Sequence, residues 1–479
     1  MFLLLADGIL FLALIAAPLL YGSVGFFPSL FLAFLSVILF NGICIARPGA
    51  LAAVFRSPWT WLGLGFLCFI GFQLVPLPAE WVRKISPGTY SFYAAYLPGG
   101  VRAGTQLTLS VYPSDTVRGL IQFLTYGVFF SSVYMRLAPD PSGEPEYHPL
   151  SLQKSEYLKL GCLVGVLSLL FHSLYDFNLH VPANGIYLAV LLALGVGPTH
   201  QSYDHTFFRR VVNFVIGFGF LIALFAAIQK YSYTGRIFWV GMMAPNPVGP
   251  YYNYDHYAGF MALCSAVAIG KVVASVFHTS FVHRKDVIEK ILWFATREAN
   301  QALCCLLMVV VMVGTIFMST SRGGIMSFVL SQIVFFSLVL WAARRTKKHM
   351  RLAGTLIAMV LLISVMVVWL GSEAFLQKFH LLWTQKIVKM EGPIDPRLVF
   401  YKDTVPVIQD FPVTGTGFNT FGTNFTRYRT FVWKGEYLRY THSDYLQLIS
   451  ETGAFGVLFL IGFFILFIGS VARVTKKLD

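Results

Sequence analysis

The feature that most limits what this chain can fold into is its series of apolar runs, each about 20 residues long. A helix of that length, at about 1.5 Å per residue, covers the ~30 Å hydrocarbon core of a bilayer. Twelve such runs are read, near 3–20, 26–46, 58–76, 116–135, 158–175, 183–199, 211–229, 254–275, 301–319, 324–342, 352–371 and 452–473. Of the 479 residues, 56% are hydrophobic and only 12% charged, too little charge to cover the surface of a water-soluble fold. The expected fold is an all-α polytopic membrane protein with about twelve transmembrane helices. The first run, "LLLADGILFLALIAAPLL", has no basic start and no small-residue cleavage site leading into soluble sequence. It is read as a retained helix.

A formal charge of +14 would point a soluble protein toward nucleic acid. Here the Lys and Arg residues collect in short loops, as orientation signals do, and no nucleic-acid partner is expected. With a cytoplasmic N-terminus, the inside loops hold Arg47 and Arg56; Arg209 and Arg210; Arg284, Lys285, Lys290 and Arg297; "RRTKKHMR" at 344–351; and Lys476 and Lys477. Two long segments then lie outside, 77–115 and 372–451. A connection of about eighty residues carrying aromatics and balanced charge is more than a linker, and it reads as a small, mostly helical cap. The expected organisation is a bundle over 1–371 with the outer segment 77–115, a loop domain over 372–451, and a final helix and tail over 452–479. No repeat relates the two halves, which weighs against an alternating-access transporter. The six cysteines (Cys44, Cys68, Cys162, Cys264, Cys304, Cys305) all fall in apolar runs without paired spacing and read as packing residues.

Three polar stretches stand out at the expected outer face. In "STSRGGIMS" (319–327), Arg322 sits between two apolar runs, either as a functional charge or as a snorkelling one. In "DPRLVFYKDTVPVIQDFPVTGTGFNTF" (395–421), Arg397 and Lys402 fall on a helical pattern followed by a Gly-rich turn without a P-loop lysine. Alone, Arg397 reads more readily as a solvated surface charge. His442 precedes the helical pattern "DYLQLISETGAFGVLFLIGF", with Asp444 in its first turn, and could serve as a helix cap together with Ser443. It could equally accept a proton, since a free imidazole titrates at about pH 6.5. Taken together, two guanidinium groups and an imidazole suit transfer from a diphosphate-linked donor. The guanidinium forks would bind pyrophosphate oxygens and the histidine would deprotonate an acceptor hydroxyl. No Asp-x-Asp pair is present, so the arginines would take over a metal's electrostatic role; neither metal nor cofactor is expected. The rivals are a flippase or exporter of a lipid-linked glycan, and a structural subunit.

These stretches resemble the O-antigen ligase and polymerase superfamily. The resemblance rests on "SRGG" (321–324), "PRLVFYKDTVPVIQDFPVTGTGFNTF" (396–421) and "HSDYLQLISETGAFG" (442–456), extended by "GPYYNYDHYAGFM" (249–261) and "LSVYPSDTVRGLIQFLTYG" (109–127). It implies a helical membrane glycosyltransferase of GT-C-like type in the bacterial inner membrane, with a large periplasmic loop and a metal-independent mechanism. The implied donor is an undecaprenyl-pyrophosphate-linked glycan, within membrane lipid; the implied acceptor is lipid A–core, another glycan, or a protein serine or threonine, as in protein O-oligosaccharyltransferases. By motif, the catalytic base falls on His442 and the pyrophosphate-binding arginines on Arg322 and Arg397, with Asp444, Tyr445, Lys402 and His256 as supporting candidates. There are departures: the usual H-N-D-Y reads "HSDY", and Asp255 stands where Asn is expected. "FHSLYDFNLHVPANG" (171–185), which follows the catalytic loop in similar proteins, precedes it here and implies a rearranged topology. His172, Asp176 and His180 in that stretch read more readily as helix-end residues than as metal ligands.

Overall fold

The structure, a computed structural model, describes residues 1–138, 149–197, 204–243, 247–278, 295–343, 397–430 and 438–478, with the isolated positions 288 and 292. The helices are α1 (Phe2–Leu19), α2 (Phe26–Ala46), α3 (Leu51–Arg56), α4 (Pro58–Gln73), α5 (Ala79–Ile85), α6 (Pro87–Tyr96), α7 (Pro113–Leu137), α8 (Pro149–His172), α9 (Pro182–Val196), α10 (His205–Tyr231), α11 (Tyr254–His278), α12 (Arg297–Met318), α13 (Arg322–Ala343), α14 (Arg397–Asp410), α15 (Phe421–Phe425) and α16 (Asp444–Lys476). The one sheet among the described residues is a pair of two-residue strands, Leu77–Pro78 and Gln106–Leu107.

Every expected apolar run falls on one of these helices except 352–371, which lies outside the described residues. Among the described residues eight helices are long and apolar enough to cross a membrane: α1, α2, α8, α10, α11, α12, α13 and α16. A ninth span arises if the pair Pro48–Arg56 and Pro58–Gln73, bent by 81°, crosses as one. The run at 183–199 forms a helix of only 15 residues, α9, short for a full crossing. That at 116–135 lies on α7, whose polar face carries Asp115, Arg118, Gln122 and Arg136.

Local signals explain several boundaries. Proline stands at the start of α4, α7 and α9, where its missing N–H costs nothing. Asp204 caps α10 by accepting the Phe207 N–H at 2.8 Å, and Thr296 caps α12. The centre of the bundle is α8 against α11, where a Cβ added to Gly161 would come within 3.1 Å of the Gly270 backbone. Small residues let the two backbones approach and gain dispersion contact, which drives helix association where lipid replaces water. At one end of the bundle Arg136 joins α1, α7 and α10. Its Nε donates to Asp7 at 3.0 Å, a second nitrogen donates to Asp204, and its guanidinium lies 4.5 Å from the Phe207 ring centre.

At the opposite end, the segment 77–115 and the chain from α14 to α15 pack together as a small cap. Val111, Val407, Phe411, Phe421 and Phe425 form its apolar centre, and the Val111 N–H donates to the Thr416 carbonyl at 2.8 Å. The Gly-rich turn "TGTGFNTF" threads between this cap and α16. Thr416 and Gly417 donate to the carbonyls of Ser450 and Glu451, while the N–H groups of Asn419 and Phe421 donate to the Glu451 carboxylate.

Candidate active site

Five stretches meet at the cap end of the bundle: the starts of α11, α13, α14 and α16, and the loop 173–181 between α8 and α9. Their contacts are cross-chain. The backbone N–H of Asp444 donates to the Ser173 carbonyl at 2.9 Å, and Arg397 bridges to Tyr175 and Asp255.

His442 precedes the N-cap of α16, and it is Ser443, not His442, whose side chain accepts from the first turn, at Leu446 N–H. His442 has φ 57°, the left-handed region that a β-substituted residue enters at a cost of roughly 1 kcal/mol or more. In that conformation its Nδ1 lies 3.4 Å from Asp176 Oδ1. Phe177 packs edge-on at 5.0 Å and Phe400 lies 5.8 Å away, while the Tyr401 hydroxyl donates to the His442 carbonyl at 2.7 Å. The imidazole remains 24% exposed, so one face is open to a substrate.

Asp176 is fully buried. Its other oxygen lies 3.7 Å from His256 Nε2. Burial alone would raise its pKa, but His256, His442 by hydrogen bond and charge, and His172 together hold the carboxyl well below the usual carboxylate range. An ionised carboxylate on Nδ1 orients an imidazole and steadies its protonated form. His256 thus lies in the same cluster, its ring edge-on to Phe177 at 4.7 Å.

Arg397 opens α14. One guanidinium nitrogen donates to Asp255 Oδ2 at 2.9 Å and another to the Tyr175 carbonyl at 2.6 Å. Asp255 also accepts from the Ser321 hydroxyl, one residue before Arg322. Arg322 opens α13, is exposed, and forms no ion pair among the described residues. The next residue, Gly323, lies against the buried His172; a Cβ there would be 3.1 Å from the imidazole. Arg322 therefore stands on the rim of the network that holds Arg397.

The supporting candidates divide. Asp444 faces away from His442: it accepts from the Leu179 N–H at 3.1 Å and bonds His180 Nδ1 at 2.9 Å. Gln447 joins His180 to Glu451, completing a buried polar ladder down α16. The Tyr445 hydroxyl donates to the Leu170 carbonyl at 2.8 Å. Asp444 clamps the loop 173–181 onto α16, and Tyr445 ties α16 to the last turn of α8. Lys402 is exposed on α14 and has no described contact with the network. His172, Asp176 and His180 do not converge: His180 serves Asp444, and Asp176 serves His442 and His256. Among the described residues no group of three or more His, Cys, Asp or Glu is placed to hold a metal ion.

Two partners were not assigned by sequence reasoning. Asp176 orients His442, yet its stretch signalled only polar residues at a helix end. Asp255, met as a departure from Asn, is the ion-pair partner of Arg397.

A bundle of membrane-length helices with an imidazole–carboxylate pair and two arginines gathered at one end defines a multi-pass membrane protein with a polar site at that end. The family model described as O-Antigen ligase matches residues 307–461, from within α12 to within α16, and so includes Arg322, Arg397 and His442. Over this range the chain is similar to the O-antigen ligase family. The stretches at 109–127, 171–185 and 249–261 fall outside the matched range. No curated protein and no solved structure matches the chain.

Proposed function

We propose that the protein transfers a glycan from undecaprenyl pyrophosphate to an acceptor hydroxyl at the periplasmic face of the bacterial inner membrane, without a metal. The observation that carries this reading is the meeting of the Asp176–His442 pair with Arg397 and the neighbouring Arg322 at one end of the bundle.

In this reading His442 Nδ1–H is held by Asp176, leaving Nε2 to take the proton from the acceptor hydroxyl. The acceptor oxygen attacks the anomeric carbon, the bond from that carbon to the pyrophosphate oxygen breaks, and the sugar inverts. Undecaprenyl pyrophosphate leaves with its charge offset by Arg322 and Arg397, whose planar forks match phosphate oxygens. Asp255 and the Tyr175 carbonyl keep the Arg397 fork in place before substrate arrives. A cavity of about 390 Å³, lined mainly by apolar side chains of α4, α7, α9 and α16, reaches His180, Asp444 and Tyr445 on the side of α16 turned away from the His442 imidazole. Its chemistry suits a prenyl or acyl chain. The periplasmic assignment rests on the positive-inside rule, since Arg47, Arg209, Arg297 and Lys476 stand on helix ends away from His442.

Reconstitution of purified protein with undecaprenyl-pyrophosphate-linked glycan and three acceptors (lipid A–core, a glycan, a serine- or threonine-bearing peptide) tests the reading. Covalent product is expected with one of them, and His442→Ala should abolish it while donor binding persists. Product from His442→Ala at the wild-type rate would remove the base assignment. Movement of the donor across the bilayer without product would make the protein a flippase instead.

A further inference from the structure

The end of the bundle away from His442 contains a second, unrelated cavity of about 1020 Å³ between α8, α10, α11 and α12. Lys154 lines it from eighteen residues before His172, about 27 Å along α8. Lys271 lines it from sixteen residues beyond Asp255, about 24 Å along α11. Arg209 and Arg297 enter from the starts of α10 and α12. None of these four cations forms an ion pair with a carboxylate among the described residues; Lys271 donates to the Asn213 amide oxygen at 2.7 Å. Four positive charges around one concavity, without a carboxylate partner among the described residues, raise the local potential for an anion.

The lining is ordered along the helix axes. On α8 Lys154 is followed one turn inward by Leu158; on α10 Arg209 is followed by Val212 and Ile216; on α12 Arg297 is followed by Asn300 and, deeper, Met308. Spacings of three to four residues keep each series on one helix face. Lys154, Arg209 and Arg297 thus stand in the first two turns of their helices with apolar surface one to three turns further in, while Lys271 lies about two turns inside the end of α11. A free phosphate would use only the outer part of such a cavity. A phospholipid, with its phosphate outermost and acyl chains running inward, uses all of it, and basic clefts between helix ends are suited to anionic headgroups.

We propose that this cavity binds the phosphate headgroup of an anionic membrane phospholipid, with the first part of an acyl chain laid along Leu158, Val212 and Ile216. The site is separate from the catalytic network and needs none of its residues.

Native mass spectrometry of the full-length protein, delipidated in detergent and supplied with phosphatidylglycerol or phosphatidylcholine of equal acyl length, tests the assignment. Wild-type protein should retain phosphatidylglycerol about tenfold more tightly, and the double variant Arg209→Gln/Arg297→Gln should fall to the phosphatidylcholine level. If the double variant fails to fold, Lys154→Gln, on an exposed position, should give a smaller loss in the same direction. Equal retention of the two lipids, or retention unchanged by these variants, would overturn the site. Inorganic phosphate that displaces the lipid at equal concentration would assign the cations to a soluble anion and overturn the lipid.

Discussion

At His442 the backbone conformation and the side-chain contacts point the same way. A φ of 57° turns the residue out of the helix that begins two positions later and toward a carboxylate 266 residues earlier in the chain. Thr320, two residues before Arg322, is in the same left-handed region at φ 58°. Non-glycine residues held there cluster at sites where geometry outranks local comfort. Asp176→Asn should therefore lower turnover by roughly 10²-fold or more, because the amide cannot hold the imidazole tautomer or steady its protonated form. The donor KM should change little, since Asp176 is buried and faces the histidines rather than the rim. Steady-state kinetics against donor concentration measures the split; a rise in KM with unchanged turnover would contradict the positioning role. His442, Arg322 and Arg397 stood out beforehand as candidates only in combination, since singly they read as readily as a helix cap, a snorkelling charge and a solvated surface charge. Asp176 and Asp255 did not, since an acid's partner is chosen by folding and leaves no mark in its neighbours.

Among the elements, α16 explains why "TGTGFNTF" has its glycines. The helix is broken at Gly453 (φ 59°, ψ −140°), a conformation essentially confined to glycine. The break lets the turn at 413–417 lie against it, backbone to backbone. A Cβ on Gly453 would come 2.5 Å from the Val413 carbonyl, and one on Gly415 would come 2.1 Å from the Glu451 carbonyl carbon. Gly453→Ala should cost about 2–4 kcal/mol, from the strained backbone plus the overlap, and lower the thermal unfolding midpoint in detergent by several degrees. An unchanged midpoint would show that the turn can move aside. The existence of this turn was readable from its composition; its packing on the last helix was not, because the contact spans more than thirty residues.

For the whole molecule, the testable property is sidedness. In a variant lacking the native cysteines, Lys402→Cys should react with a membrane-impermeant thiol reagent in spheroplasts, while Arg56→Cys should react only after the membrane is opened. Reaction of both, or of Arg56→Cys alone, would reverse or break the orientation drawn from charge. The displaced stretch 171–185 shows why chain order is a weak guide at this scale. It precedes the His442 segment in sequence, yet its Ser173 and Asp176 carbonyls accept from the Asp444 N–H and its Asp176 carboxylate meets His442. A helix pair can contribute a loop to a site from any place in the chain, provided its ends reach the same side of the bundle.

Sequence alone determined the solvent of this protein and the periodic placement of its helices, since both follow from the local run of apolar side chains and the fixed rise of a helix. It also marked His442, Arg322 and Arg397 as candidates, by their motifs taken together rather than singly. Tertiary structure decided their partners: which carboxylate holds His442, which holds Arg397, and that four distant basic residues at the far end line one cavity. Those choices depend on which helices pack side by side, and that is settled by shape complementarity between surfaces remote in the chain, a property that no short window of residues contains.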